Sequence, residues 1–254
     1  MAEEELIYGH AKQALQSLTD RKKRGKERIG DFFWEVFIII VAVNITLWFH
    51  DWSEKRHDRE LEKNFLIGTR NDLDIVKNSL ERAFPDIQTI LNYYDSVWIQ
   101  INEHRIDAEF IDTNSDHLIY ASYFLADNSR FESFKSSGYL RLIENSGLLN
   151  EITRLYNLYF PFQEYEDRTI YEARLQGFNT YIGSKVPIDS SGKMYVSKLL
   201  NNSEVKYQIY YQKQALQEMK GQKQKLQQGV DSVMNLIDEE LKNRFNYKGK
   251  EKES

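Results

Sequence analysis

The chain has 254 residues, a formal net charge of −5, 41% hydrophobic and 29% charged residues; this excludes wholesale disorder and gives no reason to expect nucleic acid as a partner. It has no cysteine, which removes disulfides, zinc–thiolate sites, iron–sulfur clusters and thiol nucleophiles together. With 3 prolines and 12 glycines and a mean hydropathy of −0.63, the sequence predicts an all-α, mostly water-soluble chain whose membrane part is local.

Residues 1–31 read as a basic cytoplasmic segment. Within it, residues 3–19 (EEELIYGHAKQALQSLT) predict a short helix, with Leu6, Ala11, Ala14, Leu15 and Leu18 loosely on one face. Its acidic start argues against strong lipid binding, and a solvated tail is the other reading. Arg21, Lys22, Lys23, Arg24, Lys26 and Arg28 follow, opposed locally by Asp20 and Glu27.

Residues 32–49 (FFWEVFIIIVAVNITLWF) predict a transmembrane helix. Eighteen residues at about 1.5 Å each cover about 27 Å, enough to cross a hydrocarbon core of roughly 30 Å. Trp34 stands at one end and Trp48 and Trp52 at the other, as expected of rings placed at the two membrane interfaces. After the span, HDWSEKRHDRELEK nearly cancels in charge. The Lys and Arg excess on the N-terminal side therefore sets the N-terminus in the cytoplasm and the remainder in the periplasm, across an inner membrane. The apolar stretch starts too late for a cleaved signal peptide and no small-residue cleavage site follows, so it reads as an anchor. Glu35 is either an interfacial carboxylate that reaches water or Arg28, or a protonatable group. Asn44 is either a tolerated amide or an oligomer contact.

Residues 50–246 read as a helical extramembrane domain. Leu66, Leu73, Leu80 and Ile87 recur every seven residues, with Thr69, Val76, Ala83 and Ile90 three positions later, and the register runs on through Tyr94, Val97 and Ile101. Pro85 is expected to kink this helix or to split it. His117 to Leu125 predicts a short apolar helix, turns flank FESFK, and residues 150–160 predict a strong helix. Pro161 is expected to break it, with helix resuming to Gly183. Residues 184–192 predict an exposed loop, and the Tyr and Phe of this middle region are expected to fill the core. Ser203 to about Phe245 predicts one helix about 60 Å long, with Ile209, Leu216, Met219, Lys223, Leu226, Val230, Val233 and Ile237 on one seam. Residues 247–254 predict a disordered tail. The fold expected is a transmembrane helix continuing into a long-helix bundle with partial coiled-coil character, its seams paired within the chain in preference to between chains.

Two stretches resemble a family of uncharacterised bacterial single-span membrane proteins. The first is Glu35, an apolar run, then Trp52-Ser53-Glu54-Lys55-Arg56 and Asp58-Arg59. The second is Phe131-Glu132-Ser133-Phe134-Lys135-Ser136-Ser137-Gly138, followed by Leu140, Leu142-Ile143, Leu148 and Tyr156. In that family an early Glu opens the span, a Trp-polar-Glu motif closes it, and a central aromatic-led helix, a Ser-Gly turn and a Leu-rich helix ending in Tyr follow. The match covers roughly residues 30–160; it departs from the family at Asn44, Trp48 and Phe49, where small residues usually line the span. The resemblance implies membrane placement and a helical periplasmic domain, and no activity.

No catalytic, cofactor or metal site is expected. His10, His50, His57, His104 and His117 form no HExxH or other spaced ligand set. His50 and His57 lie two turns apart, about 10 Å on a helix, too far for one metal within one chain. Gly-rich phosphate loops and Gly-x-Ser-x-Gly are absent, Ser136-Ser137 and Ser190-Ser191 sit in turn contexts, and Glu164, Glu166 and Asp167 read as a solvated helix face. The expected function is a non-enzymatic, membrane-anchored interaction or scaffold protein of the bacterial envelope, with the bilayer and a protein partner or second copy as its company. The alternatives are a ligand-responsive sensor or signalling subunit, and a subunit of an ion-driven complex using Glu35.

Overall fold

The structure is a computed structural model; it describes residue 12 and residues 25–118, 123–173 and 179–247, with side chains from residue 32 onward. The predicted helix at 3–19, the basic residues Arg21, Lys22, Lys23 and Arg24, and most of the 247–254 tail lie outside the described residues. The chain divides into two compact units, Met1–Leu61 and Glu62–Ser254.

Among the described residues the regular structure is helical, with one isolated antiparallel bridge, Ile188 to Met194. The helices are α1 (Gly25–Glu103), α2 (Ala108–Thr113), α3 (Ser129–Ser136), α4 (Ser146–Arg154), α5 (Phe160–Ala173), α6 (Thr180–Lys185) and α7 (Ser203–Phe245). The range predicted for α7 is the range observed. Asn202 opens it by accepting from the Glu204 amide at 2.8 Å, and Asn246 ends it with a left-handed φ of 49°. The same chemistry starts α2, where Asp107 accepts from Phe110 N at 3.0 Å, and α4, where Asn145 accepts from Leu148 N at 3.1 Å.

Both long seams are buried. Leu66, Leu73, Leu80, Ile87 and Ile90 on α1, and Ile209, Leu216, Met219, Lys223, Leu226, Val230, Val233 and Ile237 on α7, are all at 7% exposure or less. Polar pairs at the seam margins fix the register: Arg70 with Asp238 at 3.3 Å, Lys77 with Asp231 at 2.6 Å, Glu81 with Gln227 at 3.2 Å and Asp95 with Lys213 at 2.5 Å. Each advance along α1 is answered by an equal step back along α7, so within the second unit the two run antiparallel. These half-exposed pairs mark the register and add little to stability.

The core of the second unit forms two clusters. One joins Phe65–Leu80 of α1 to Leu226–Leu241 of α7, with Phe131, Leu148, Ile152, Leu155, Tyr156 and Phe160 packed on them. The other joins Ile87–Ile101 to Val205–Met219, with Ile111, Leu118, Ile182, Val196 and Leu200. The division falls in the interval that holds Pro85 on α1 and Lys223 on α7.

Two local expectations are corrected, and for Pro85 one of the two alternatives is excluded. Pro85 does not split the helix; α1 runs through it. Its interior cost of about 3 kcal/mol is outweighed by Ile87, Ile90 and Tyr94 beyond it, each of which contributes about 1.5–3 kcal/mol on burial. Pro161 does not break the chain either. A five-residue π turn, Leu155–Tyr159, precedes it and α5 continues from Phe160, the wider turn easing the clash a proline ring makes with the preceding turn.

The described residues of the stretch 117–125 are not α-helical. Ser115–Leu118 is a 3-10 turn and residues 123–128 are irregular, because carboxylates take the amides a helix would use. Asp167 accepts from Phe124 N at 2.8 Å and Glu164 from Ala126 N at 3.1 Å. The aromatics of the middle region are divided in role: Phe124, Phe131, Tyr156 and Phe160 are buried, whereas Tyr123, Phe162, Tyr165 and Tyr171 are exposed.

Candidate functional site

In the first unit the segment from Phe32 carries apolar side chains all round the helix. Phe33, Trp34, Phe37, Ile40, Ile45, Leu47, Trp48, Phe49 and Trp52 are all exposed, and α1 is long and apolar enough here to cross a membrane, with no part of the apolar stretch buried. A helix apolar on every face, and packed on nothing among the described residues, is unstable in water and stable in hydrocarbon. Its polar groups are folded back on their own helix. Asn44 Nδ2 donates to the Ile40 carbonyl at 2.7 Å and Thr46 Oγ1 to the Ala42 carbonyl at 3.0 Å, so neither is left as an unpaired donor. Glu35 is half-buried against the helix, and its Oε2 has no hydrogen-bond partner among the described residues. Lys26 and Arg28 lie in the first turns of α1, where the backbone alone is described.

Past the apolar stretch, Arg56 sits over the Trp52 ring at 5.8 Å, a cation–π contact inside the Trp-Ser-Glu-Lys-Arg motif. The ligand atoms that come together are those of His50, Asp51 and Glu54, all within 4.8 Å of one another and all exposed. The spacing argument considered His50 with His57 and passed over Glu54, one turn from His50. Three solvated side chains on a single exposed helix face are common without an ion.

In the second unit the sequence reading missed the buried charges. Asp167, expected on a solvated face, is 0% exposed, and Lys223 is 1% exposed. The two form a buried ion pair. Asp167 also accepts from Gln163 Nε2 at 2.7 Å and from the Phe124 amide, and Lys223 lies over the Phe124 ring at 5.7 Å. The carboxylate therefore has three donors, which is what a buried charge requires. The signal was in the sequence: one lysine in an otherwise apolar seam demands a counter-charge.

A second network closes around Arg244, which meets Glu62 at 2.7 Å, Glu240 at 2.8 Å and Glu144 at 2.9 Å. Burial pulls this guanidinium's pKa down, but the hydrogen bonds to Glu62 and Glu240 outweigh it and hold the group above its ordinary value. Glu62 accepts in addition from the Glu144 amide at 3.2 Å, and Glu240 from Asn145 Nδ2 at 2.7 Å, so the network ties the start of the unit to the end of α7 and to the α4 cap. The central motif of the family resemblance packs beside it. Phe131 stacks on Tyr156 at 4.7 Å and Phe134 on Phe65 at 3.9 Å, with Gly138 at φ 73° turning the chain.

A cavity of about 670 Å³ opens between the π turn and α7, lined by Glu151, Leu155, Leu158, Tyr159, Phe162, Gln163, Gln222, Lys225, Leu226, Gly229, Ser232 and Val233. Gln163 is fixed there by its bond to Asp167, so the buried ion pair holds one wall of the cavity.

Comparison with protein-family models, with curated proteins and with solved structures finds no match. The family resemblance is thus carried by its own residues, and function has to be argued from the two sites above.

Proposed function

We propose that this chain is a single-pass, membrane-anchored helical interaction protein of the bacterial envelope, with a helical-bundle domain held outside an inner-membrane anchor. The observation that carries the reading is the exposed, all-round apolar surface from Phe33 to Phe49, a surface that a lipid bilayer covers at no cost in unpaired backbone. The Trp34, Trp48 and Trp52 belt and the basic residues from Arg21 to Arg28 support a cytoplasmic N-terminus and a periplasmic domain. The long α1 and α7 seams, with their heptad spacing and partial coiled-coil character, support a scaffold for a protein partner or a second copy. Asn44, with its Oδ1 still able to accept, suits a contact with another helix inside the bilayer.

The test is cross-linking in intact cells, purification in mild detergent and identification of the co-purifying proteins by mass spectrometry. A stoichiometric partner, or a self-cross-link that Asn44→Leu weakens, is the expected result. A monomer at every concentration with no partner overturns the scaffold reading. The ligand-responsive reading is favoured by one observation, the cavity beside the π turn.

A further inference from the structure

That cavity carries a specific chemistry. Its body is apolar: Leu155, Leu226 and Val233 form the interior, and Leu158 and Phe162, 55% and 50% exposed, stand open at its mouth. Large apolar side chains left exposed beside a concavity of this size mark a site that a ligand covers. The wall is a π turn, a geometry that recurs at functional sites because it widens the helix and displaces its side chains.

Two polar groups at α7 are uncommitted. Lys225 makes no ion pair among the described residues, whereas the neighbouring Lys213, Lys220 and Lys223 are engaged by Asp95, Gln88 and Asp167. Gln222, one turn before it, makes no side-chain hydrogen bond among the described residues, which leaves its Nε2–H free to donate to an anion, while its buried Oε1 is an acceptor and takes no part in holding one. The acid that lines the cavity, Glu151, is neutralised by Arg154 at 3.1 Å and so opposes an incoming anion weakly. Gly229 faces open space; a Cβ added there meets nothing within 4 Å, which leaves the floor of the cavity clear.

We propose that this cavity binds an anionic single-chain amphiphile, with its hydrocarbon tail between the π turn and Gly229 and its carboxylate on Lys225, beside the Gln222 amide. The site lies wholly within the second unit and does not rest on the membrane placement or on a protein partner. Gln163, held by Asp167, is a positioning residue of the wall.

The probe is an alkyl-diazirine fatty acid, photolysed with the full-length chain in phosphatidylcholine nanodiscs, with the labelled peptides mapped by mass spectrometry. Saturable labelling of the peptides around Leu155–Phe162 and Leu226–Val233 is expected, competed by dodecanoate and not by dodecanol. Gly229→Phe, which fills the floor, should abolish it. Lys225→Glu, a change on the exposed surface that leaves the fold intact, should lower it at least about tenfold, the scale of one hydrogen bond to a charged group. Labelling confined to residues 32–49, labelling that never saturates, indifference to Lys225→Glu, or equal competition by dodecanol would each overturn the proposal.

Discussion

Helix α1 carries two apolar surfaces that obey opposite rules. From Phe33 to Phe49 the apolar side chains circle the helix and none of that stretch is buried. From Leu66 to Ile101 most of them gather in one stripe buried against α7 and its neighbours, with Ile75 and Ile99 left exposed outside it. The first pattern has no packing partner among the described residues and calls for a solvent of its own; the second has its partner supplied by the fold. Hydrophobic content alone does not separate the two, but its angular distribution does.

The contrast can be broken by substitution. The largest effect belongs to the buried ion pair that the seam contains. Asp167→Ala leaves Lys223 charged with no counter-charge in the core, and should lower stability by about 3–5 kcal/mol in urea titrations followed by circular dichroism. Replacing Lys223 with Met as well should recover most of that loss, because no unpaired charge then remains. A single variant with unchanged stability would show that the pair is solvated.

Next is one substitution made in both regions. Leu73→Ala in the seam, where Leu73 is 0% exposed, should cost about 2–5 kcal/mol. Leu47→Ala, at 57% exposure in the exposed apolar stretch, should leave the same urea midpoint unmoved. Equal losses would mean that both stretches are packed alike, and the comparison would fall.

A smaller effect is expected at Gly138. Its φ of 73° has nothing within 4 Å of an added Cβ, so Gly138→Ala meets conformational strain and no clash, about 1–2 kcal/mol, read from the same titration. The smallest comes from the turn at residues 186–195. There Asp189 accepts from Ser191 Oγ at 2.6 Å, Tyr195 Oη at 2.9 Å and Lys193 N at 3.1 Å, and these bonds lower its pKa from 3.8 to about 2. A carboxylate depressed in the folded state lends its support above its unfolded pKa and loses it as pH falls through the folded one. The turn should therefore loosen between about pH 4 and pH 2, seen as faster amide exchange at Ser191 and Lys193, and Asp189→Asn should remove that dependence.

How much of this was legible in the sequence follows from which forces were local. The α7 boundaries were readable because Asn202 and Asn246 are side chains whose effect ends within a turn. The two seams were readable because burial repeats with the helical period. The path of residues 123–128 was not, since the Phe124 and Ala126 amides are taken by Asp167 and Glu164, about forty residues away. Pro161 misled for a related reason, because the π turn that accommodates it has no composition of its own. Lys223 could have been found as a charge in an apolar row, but its partner Asp167 looked like any other acid on a helix. The Arg244 network joins Glu62, Glu144 and Glu240 across most of the second unit, and no spacing rule brings those together. Of the candidate sites, the exposed apolar stretch from Phe33 to Trp52 with its Trp residues was plain in the sequence; the cavity beside the π turn was not, because tertiary packing alone creates it.

The most direct test of the anchored reading uses the absence of cysteine from the chain. Single cysteines introduced as Lys12→Cys, Val41→Cys and Ser190→Cys can be challenged in intact cells with a membrane-impermeant maleimide, and again after lysis. The account predicts labelling at position 190 in intact cells, at position 12 after lysis alone, and at position 41 in neither. Free labelling at position 41 would contradict the span, and labelling at position 190 only after lysis would reverse the orientation.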